Sequence, residues 1–598
     1  MCGIVGYVGY RQAAEVLMEG LKRLEYRGYD SAGIALVDNG RLSLTKRQGE
    51  LDVLRGVMPR SEARTGIGHT RWATCGRPSD RNAHPFMSCD GKLAIVHNGI
   101  IENYAALRGR LESNGHRFTS ETDTEVIVHL LEDHYKGDLR QALADSIKEI
   151  EGTYAIAAIR DGGQEIAAAR KENPMVIGLG VKENFLASDV TALLSYTNKV
   201  LYIMDGETLS ITPSEVKVFN AEGVPVEREP AVVTWSAEDA QKGGFEHFML
   251  KEIFEGPNAM HNTLLGALDM IENGEVLPRI DFRSVKLVAC GSSFHAAMVG
   301  KYVMEEFASL PTTLELASEY RYSPGARETP LVILITQSGE TADTLAAARE
   351  ARRRGCRTLA VTNVVGSTIT REVDEVLYTK AGPEIGVAAT KTFLAQMLAM
   401  YLLAIRIGYA KGNLSHDSMR SALSSLRQSS NMVQSVLNRM HEIEEASKMI
   451  DSAEHCFFIG RNINYPTMLE GALKLKEISY IHAEGFAAGE LKHGPLALLD
   501  STTPVIATAI KGDPTYEKML ANVSEVAARD SPVLGIGLEG DTELARLCER
   551  VIYVPKVKPV YSPIPVTVAL QILAYHVAKR RNCSIDKPKN LAKSVTVE

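Results

Sequence analysis

Nothing in this chain is spaced like a metal site or a disulfide framework. Its eight cysteines, Cys2, Cys75, Cys89, Cys290, Cys356, Cys456, Cys548 and Cys583, are scattered over 598 residues. No CxxC pair and no Cys/His spacing of the zinc-binding kind occurs. That density is far below a stapled secreted scaffold, and a reducing, cytoplasmic setting is expected. Positive charge is not in excess either: 66 Lys and Arg stand against 74 Asp and Glu, a formal charge of −8. This argues against a nucleic-acid or anionic-membrane surface. No basic segment followed by an apolar one opens the chain, so no secretory leader is expected. The most apolar run, Phe393 to Ile405, contains Gln396 and is too short to span a bilayer, so it reads as a buried helix. The Ser-Gly-Gly-x-Asp-Ser and GxxxxGK[ST] loops of nucleotide-binding proteins are both missing.

What is present divides by pattern. Up to about residue 236, short β-like runs with Gly turns (Gly33–Val37, Leu93–Val96, Tyr154–Ile159) alternate with helical stretches such as Asp123 to Leu131. This predicts an α+β domain with mostly antiparallel sheet. A polar, Gly-rich segment, residues 237–244, reads as a linker. Beyond it strand and helix alternate. Val285–Gly291, Leu331–Ile335 and Thr358–Thr362 recur as Cys456–Gly460, Pro504–Ala509 and Val533–Ile536. The repeat predicts two tandem doubly wound α/β units, residues 245–430 and 431–582, joined by helix from Met397 to Ile450, with a tail at 583–598.

The N-terminal part holds a coherent set of chemical groups. Removal of Met1, which the small side chain of Cys2 permits, leaves a thiol and an α-amine on one residue. Such an amine titrates near roughly 7.7–8.0 and can act as the thiol's base. Arg71, in Gly68-His69-Thr70-Arg71-Trp72-Ala73-Thr74, suits a bidentate grip on a carboxylate, or else a surface ion pair. Asn98-Gly99, straight after a predicted strand, is either a turn or an oxyanion hole. Thr122-Asp123-Thr124-Glu125 is either a helix cap or, through Asp123, an ammonium ligand. Cys2-Gly3-Ile4-Val5-Gly6-Tyr7, Glu25–Gly33, His69–Thr74, His97–Tyr104 and Thr122–Glu125 together resemble the N-terminal-nucleophile (class II) glutamine amidotransferases. The resemblance implies Cys2 as nucleophile and Asn98 with Gly99 around the oxyanion. It implies Arg71, Trp72, Thr74 and Asp123 around glutamine, with Trp72 also at the gate toward the acceptor site. Cys75 stands where that family usually has His, and is expected to act mainly through its backbone.

In the second part, Thr336-Gln337-Ser338-Gly339-Glu340-Thr341 follows a strand and opens a helix, and Cys290-Gly291-Ser292-Ser293 sits at the C-terminal end of the first strand of the same unit. Both are either simple helix caps or an anion site at the C-terminal edge of a parallel sheet. Glu470, Lys474 and Glu477 share one helical face, as a surface pair or as a base flanked by a cation. His493 lies beside a Gly-Pro turn, and Lys593 lies in a polar tail. These segments resemble sugar isomerase (SIS) domains, and with Glu384–Lys391, Leu469–Glu477, Ala488–Pro495 and Asn590–Glu598 the whole chain resembles the bacterial glucosamine-6-phosphate synthase family. Thr336 for Ser and Gly256 for Gln are small departures.

That resemblance implies a cytoplasmic, homodimeric aminotransferase making D-glucosamine 6-phosphate from D-fructose 6-phosphate and L-glutamine, the first committed step of amino-sugar synthesis. It requires no metal, pyridoxal phosphate or nucleotide, and no nucleic-acid or membrane partner. Gly291, Ser292, Ser293, Thr336, Gln337, Ser338, Thr341, Val387, Lys474, Glu470 and Ala592 are implied around the sugar phosphate. Glu477 is implied as the proton carrier between C1 and C2, His493 (from the partner subunit) in ring opening, and Lys593 as the Schiff-base amine. A related phosphosugar aminotransferase or deglycase, and a non-catalytic sugar-phosphate sensor, are the alternative readings.

Overall fold

The computed structural model describes residues 2–25, 28, 30–72, 75–233, 242–272, 275–324 and 330–596. The chain divides into two compact units, residues 1–240 with 592–598, and residues 241–591.

The first unit is built on strands whose two faces are both covered. Its relevant elements are β1 (Gly3–Val8), α1 (Ala13–Leu24), β2 (Ser31–Asp38), β3 (Thr65–Arg71), β4 (Leu93–Ile101), α2 (Tyr104–Ser113), α3 (Glu125–His134), β5 (Gly152–Arg160) and β6 (Ile166–Lys171). An eight-stranded sheet contains β1, β2 and β3, and a seven-stranded sheet contains β4, β5 and β6. Neighbouring strands in both sheets pair antiparallel. Side chains alternate across each strand. Ile4 and Val8 of β1, Ala35 of β2 and Ile67 of β3 therefore meet Val96, Ala155, Ala157 and Ile159 of the other sheet. The opposite faces, Val5 and Tyr7 or Ile34 and Leu36, pack on Val16, Leu17 and Leu21 of α1. Ile95, Ile156 and Ala158 pack on Leu107, Val126, Ile127 and Leu130 of α2 and α3. The result is four layers, helix–sheet–sheet–helix, as expected for an α+β domain.

The second unit repeats one topology twice. The first sheet comprises β7 (Val285–Ala289), β8 (Thr312–Leu316), β9 (Leu331–Ile335), β10 (Thr358–Thr362) and β11 (Glu375–Tyr378), in the order β8-β7-β9-β10-β11. The second comprises β12 (His455–Gly460), β13 (His482–Ala487), β14 (Val505–Thr508), β15 (Val533–Leu538) and β16 (Arg550–Val554), in the order β13-β12-β14-β15-β16. Every pairing in both is parallel. The chain reverses its direction of travel between β7 and β9, and between β12 and β14. Crevices open at such switch points, beyond the C-terminal ends of the strands.

Helices α4 (Gly291–Val303), α5 (Ala342–Arg353), α6 (Lys391–Ala410), α7 (Tyr465–Ser479) and α8 (Pro563–Arg580) cover these sheets. One continuous core runs through both halves, from Leu287, Ile333 and Phe393 to Phe458, Leu475, Leu570 and Tyr575. The helix expected around Phe393–Ile405 is longer than the apolar run, 20 residues, and by length and composition alone could cross a membrane. Here Phe393, Leu394, Met397, Met400, Tyr401 and Ile405 are buried in that core instead. The single helical stretch expected between the halves is four helices, beginning at Lys391 rather than Met397. The predicted linker lies mostly outside the described residues, which resume at Lys242.

Candidate active sites

In the first unit, pairing of Gly3 with Thr70 brings Cys2 beside the end of β3. The Trp72 N–H donates to the Cys2 sulfur at 3.2 Å, and the thiol donates to the Trp72 carbonyl at 3.5 Å. Burial pushes the Cys2 thiol above its ordinary pKa, opposed by the Trp72 N–H and by Arg71. The resting thiol is therefore protonated, and attack on a carbonyl requires a base.

Asn98 and Gly99 do not form the turn expected of an Asn-Gly pair. They lie within β4, which runs on to Ile101, opposite Ala155 and Tyr154. Gly99 has φ +134°, and a Cβ there would lie 2.0 Å from the Thr153 carbonyl oxygen, so no other residue fits. The Asn98 amide nitrogen donates to the Cys2 carbonyl at 3.1 Å. Its orientation is set by His69, whose Nε2 lies 3.1 Å from both the Asn98 Oδ1 and the His97 carbonyl. Both partners are acceptors, so Nε2 carries the proton. Burial lowers the His69 pKa to about 3, which keeps the ring neutral. Sequence reading missed His69 as a positioning residue, although it belongs to the same motif as Arg71.

Arg71 is 3% exposed. Its Nη2 donates to the carbonyls of Cys75 and Gly76, so residue 75 serves this site through its backbone, as expected. Its Nη1 is buried without a hydrogen-bond partner among the described residues. An unpaired guanidinium edge of this kind suits an incoming carboxylate. Asp123 does not cap the following helix. Its carboxylate accepts the Ile101 N–H at 2.8 Å, and the N-cap residue Thr124 makes no side-chain cap bond. Thr74 lies outside the described residues.

In the second unit, Ala289 pairs with Ile335, so Cys290-Gly291 and Thr336-Gln337 leave neighbouring strands side by side at the switch point. Each turn opens a helix, α4 with Cys290 and α5 with Thr341 at the N-cap, and neither N-cap side chain makes a cap bond. Helix α5 starts at Ala342, two residues later than the sequence suggested. Gly339 has φ +67°, and a Cβ there would meet the Ser367 hydroxyl at 2.1 Å, so the turn requires glycine. Thr336 Oγ1 accepts the Gly339 N–H, and Ser338 Oγ accepts the Glu340 N–H. Two helix N-termini with hydroxyls between them form a favourable setting for a phosphate.

The Glu470, Lys474 and Glu477 face is not a surface pair. Glu470 and Lys474 are each 1% exposed. The Lys474 ammonium lies 2.5 Å from Glu477, 3.4 Å from Glu470 and 3.2 Å from Ser292 Oγ. Ser292 donates to Glu470 at 2.9 Å, and His295 Nδ1 lies 2.8 Å from the other Glu470 oxygen. This network joins α4 of the first half to α7 of the second. Burial alone would lower the Lys474 pKa, but Glu477 and Glu470 raise it to about 12. Burial alone would raise that of Glu470, but Lys474 and His295 hold it below the usual carboxylate value. Val387 donates its N–H to the Asp586 carbonyl. His493 ends the 3-10 segment Ala488–His493, and its exposed side chain makes no hydrogen bond among the described residues. Ala592 and Lys593 are half-buried, and the chain from residue 592 onward groups with the first unit.

Known proteins match both halves. A family model described as SIS domain fits residues 280–406 and 449–579, and one described as glutamine amidotransferase domain fits residues 69–195. The isomerizing glutamine–fructose-6-phosphate aminotransferases of Thermus thermophilus and Methanosarcina acetivorans are each 50% identical to this chain. Both alignments cover the full length of both partners. The solved C-terminal domain of glucosamine-fructose-6-phosphate aminotransferase from Francisella tularensis is 36% identical. It covers 58% of this chain and 99% of its own, with a TM-score of 0.55.

The buried network gives a pH-dependent prediction. Lys474, raised above its unfolded value, contributes stability that is complete below about pH 10.4 and is lost as pH rises through about 12. Glu470, depressed, contributes stability that is present above the ordinary carboxylate pKa and is lost as pH falls through its folded value. Lys474→Met should cost about 3–5 kcal/mol at neutral pH, because it removes the cation that faces buried Glu470 and half-buried Glu477. Urea unfolding from neutral pH to about pH 4 should show this deficit shrinking as the carboxylates protonate. A deficit that is constant over this range would show that charge pairing does not hold the two helices.

Proposed function

This chain belongs to the isomerizing glutamine–fructose-6-phosphate aminotransferase family, and on that footing we propose how its residues divide the reaction. The enzyme converts L-glutamine and D-fructose 6-phosphate to L-glutamate and D-glucosamine 6-phosphate. The observation that carries this reading is the end-to-end match of one chain holding both a glutaminase half and a paired SIS half.

In the glutaminase half, Arg71 receives the α-carboxylate of glutamine and Asp123 its α-ammonium, with Trp72 and Thr74 beside them. Cys2 attacks the amide carbon, its thiol proton passing to its own α-amine after Met1 is removed. Asn98 Nδ2 and the Gly99 N–H hold the oxyanion. Collapse expels ammonia and leaves a thioester, which water hydrolyses to glutamate. The buried, unpartnered Nη1 of Arg71 and the His69-oriented Asn98 support these roles.

In the isomerase half, Gly291, Ser292, Ser293, Thr336, Gln337, Ser338 and Thr341 bind the phosphate, with Val387 and Ala592 lining the sugar. His493, supplied by the partner of a homodimer, assists ring opening. The Lys593 amine condenses with the C2 carbonyl and releases water, and ammonia then displaces the lysine. Glu477 takes a proton from C1 and returns it at C2, leaving an aldehyde at C1 and the amine at C2. The charged Lys474, 2.5 Å from Glu477, keeps that carboxylate available as a base, and Glu470 fixes Lys474. A cytoplasmic location fits the soluble substrates and the free thiols.

The reading is tested by mass detection of glucosamine 6-phosphate from the two substrates. Cys2→Ala should abolish glutamine-dependent product while fructose 6-phosphate is still isomerised. Loss of both activities would contradict the division of labour.

Asn98→Ala should lower glutamine turnover by about 10²–10³, the cost of one oxyanion donor, with little change in KM. An unchanged kcat with a large rise in KM would assign Asn98 to binding instead.

Lys593→Arg keeps the positive charge but cannot form an imine, since the guanidinium stays protonated. It should abolish synthase activity and retain glutaminase activity. Borohydride reduction in the presence of fructose 6-phosphate should trap an adduct on Lys593 in the wild type. Near-normal synthase turnover in the variant would rule out the Schiff-base role.

A further inference from the structure

Away from the glutamine-binding residues, four side chains of the first unit converge on one point. Cys89 follows the short strand Phe86–Met87, His116 follows α2, and His129 and Glu132 project from one face of α3. Their donor atoms all lie within 4.8 Å of one another. His116 Nδ1 and His129 Nδ1 are 3.3 Å apart. The Cys89 sulfur is 3.7 Å from the first and 3.6 Å from the second. Glu132 Oε2 is 3.3 Å from His116 Nδ1 and 3.5 Å from His129 Nδ1.

These separations are the edges of a tetrahedron. Zinc holds nitrogen and carboxylate oxygen at about 2.0–2.2 Å and sulfur at about 2.3 Å. A regular tetrahedron of those radii has N–N and N–O edges of about 3.4 Å and N–S edges of about 3.6 Å. Five observed distances match this set. Protons satisfy such contacts only in pairs, whereas one divalent cation satisfies all four lone pairs at once.

The surroundings are those of a metal centre as well. His116 turns its other nitrogen, Nε2, to Asp133 at 2.9 Å, a carboxylate–histidine arrangement that orients a ligand ring. The Arg117 N–H points at the Cys89 sulfur at 3.3 Å. Glu132 is fixed by the Cys89 and Asp90 N–H groups, each at 3.0 Å. The ring edge of Phe118 packs on His129, which is 1% exposed. Spacings of 27, 13 and 3 residues match no metal motif, so sequence reading passed the cluster over.

We propose that Cys89, His116, His129 and Glu132 bind one Zn²⁺ ion through a thiolate, two Nδ1 nitrogens and a carboxylate oxygen. Binding releases the Cys89 thiol proton to solvent. Four protein ligands leave no open position, so the ion is structural rather than catalytic. It ties the loop after Phe86–Met87 and the segment after α2 to α3, the helix that begins just after Asp123.

The test uses the full-length enzyme purified without chelators, supplied with Zn²⁺ and dialysed against metal-free buffer. Elemental analysis should give about one zinc per chain. Cys89→Ser, an exposed position where the fold should survive, and His116→Ala should each lose it. Asp133→Ala should keep a zinc bound about 10–100-fold more weakly in competition with a chromophoric chelator. Co²⁺ in place of zinc should give visible tetrahedral d–d bands and a thiolate charge-transfer band that is absent in Cys89→Ser. The proposal is overturned if the zinc-supplied wild type holds less than about a tenth of an equivalent. It is equally overturned if folded Cys89→Ser and His116→Ala hold as much zinc as the wild type.

Discussion

A lysine that is 1% exposed remains charged only where the surrounding protein replaces its lost hydration. At Lys474 the replacement comes from Glu470 and Glu477 on its own helix and from Ser292 across the interface of the two SIS halves. His295 completes the balance by holding the far oxygen of Glu470. Because its members come from helices of two halves related by an internal repeat, the network requires both halves to be folded and docked. The carboxylate assigned to proton transfer, Glu477, is positioned by the same cation. With Glu477 in the role proposed above, the sugar chemistry would depend on a charge arrangement that neither half supplies alone.

The glutaminase half meets a different constraint, that of exposing reactive backbone and side-chain groups at the end of a sandwich with both sheet faces buried. Cys2 and Trp72 stand at the end of the β1–β3 pair, and Asn98 and Gly99 lie within the facing β4. Neutral His69 fixes which end of the Asn98 amide faces Cys2, so the oxyanion donor proposed above is oriented before substrate arrives. Such preorganisation is available because burial keeps the imidazole uncharged. A zinc ion at Cys89, His116, His129 and Glu132 would act on the same half from behind, through α3 rather than through the reacting atoms.

Much of this was legible in the chain itself. Short β-like runs with Gly turns, such as Gly33–Val37 and Leu93–Val96, marked strands of the first domain, and recurrence of Val285–Gly291 as Cys456–Gly460 marked the duplicated sheet. Motifs contiguous in sequence, such as His69–Thr74 and Thr336–Thr341, could be read because their geometry is local: a strand end, a glycine turn, a helix start. Their residue types and spacing set the candidate chemistry before any coordinates. Three-dimensional packing decided the rest. Whether Asn98-Gly99 turned or continued the strand depended on pairing with Gly152–Arg160, more than fifty residues away in sequence. Whether Glu470 and Lys474 faced water or the core depended on α4 docking against α7, since one helical face reads the same either way. The Cys89 cluster is the extreme case: spacing carried no sign of it, because its donors meet only when a loop, a helix exit and a helix face fold together.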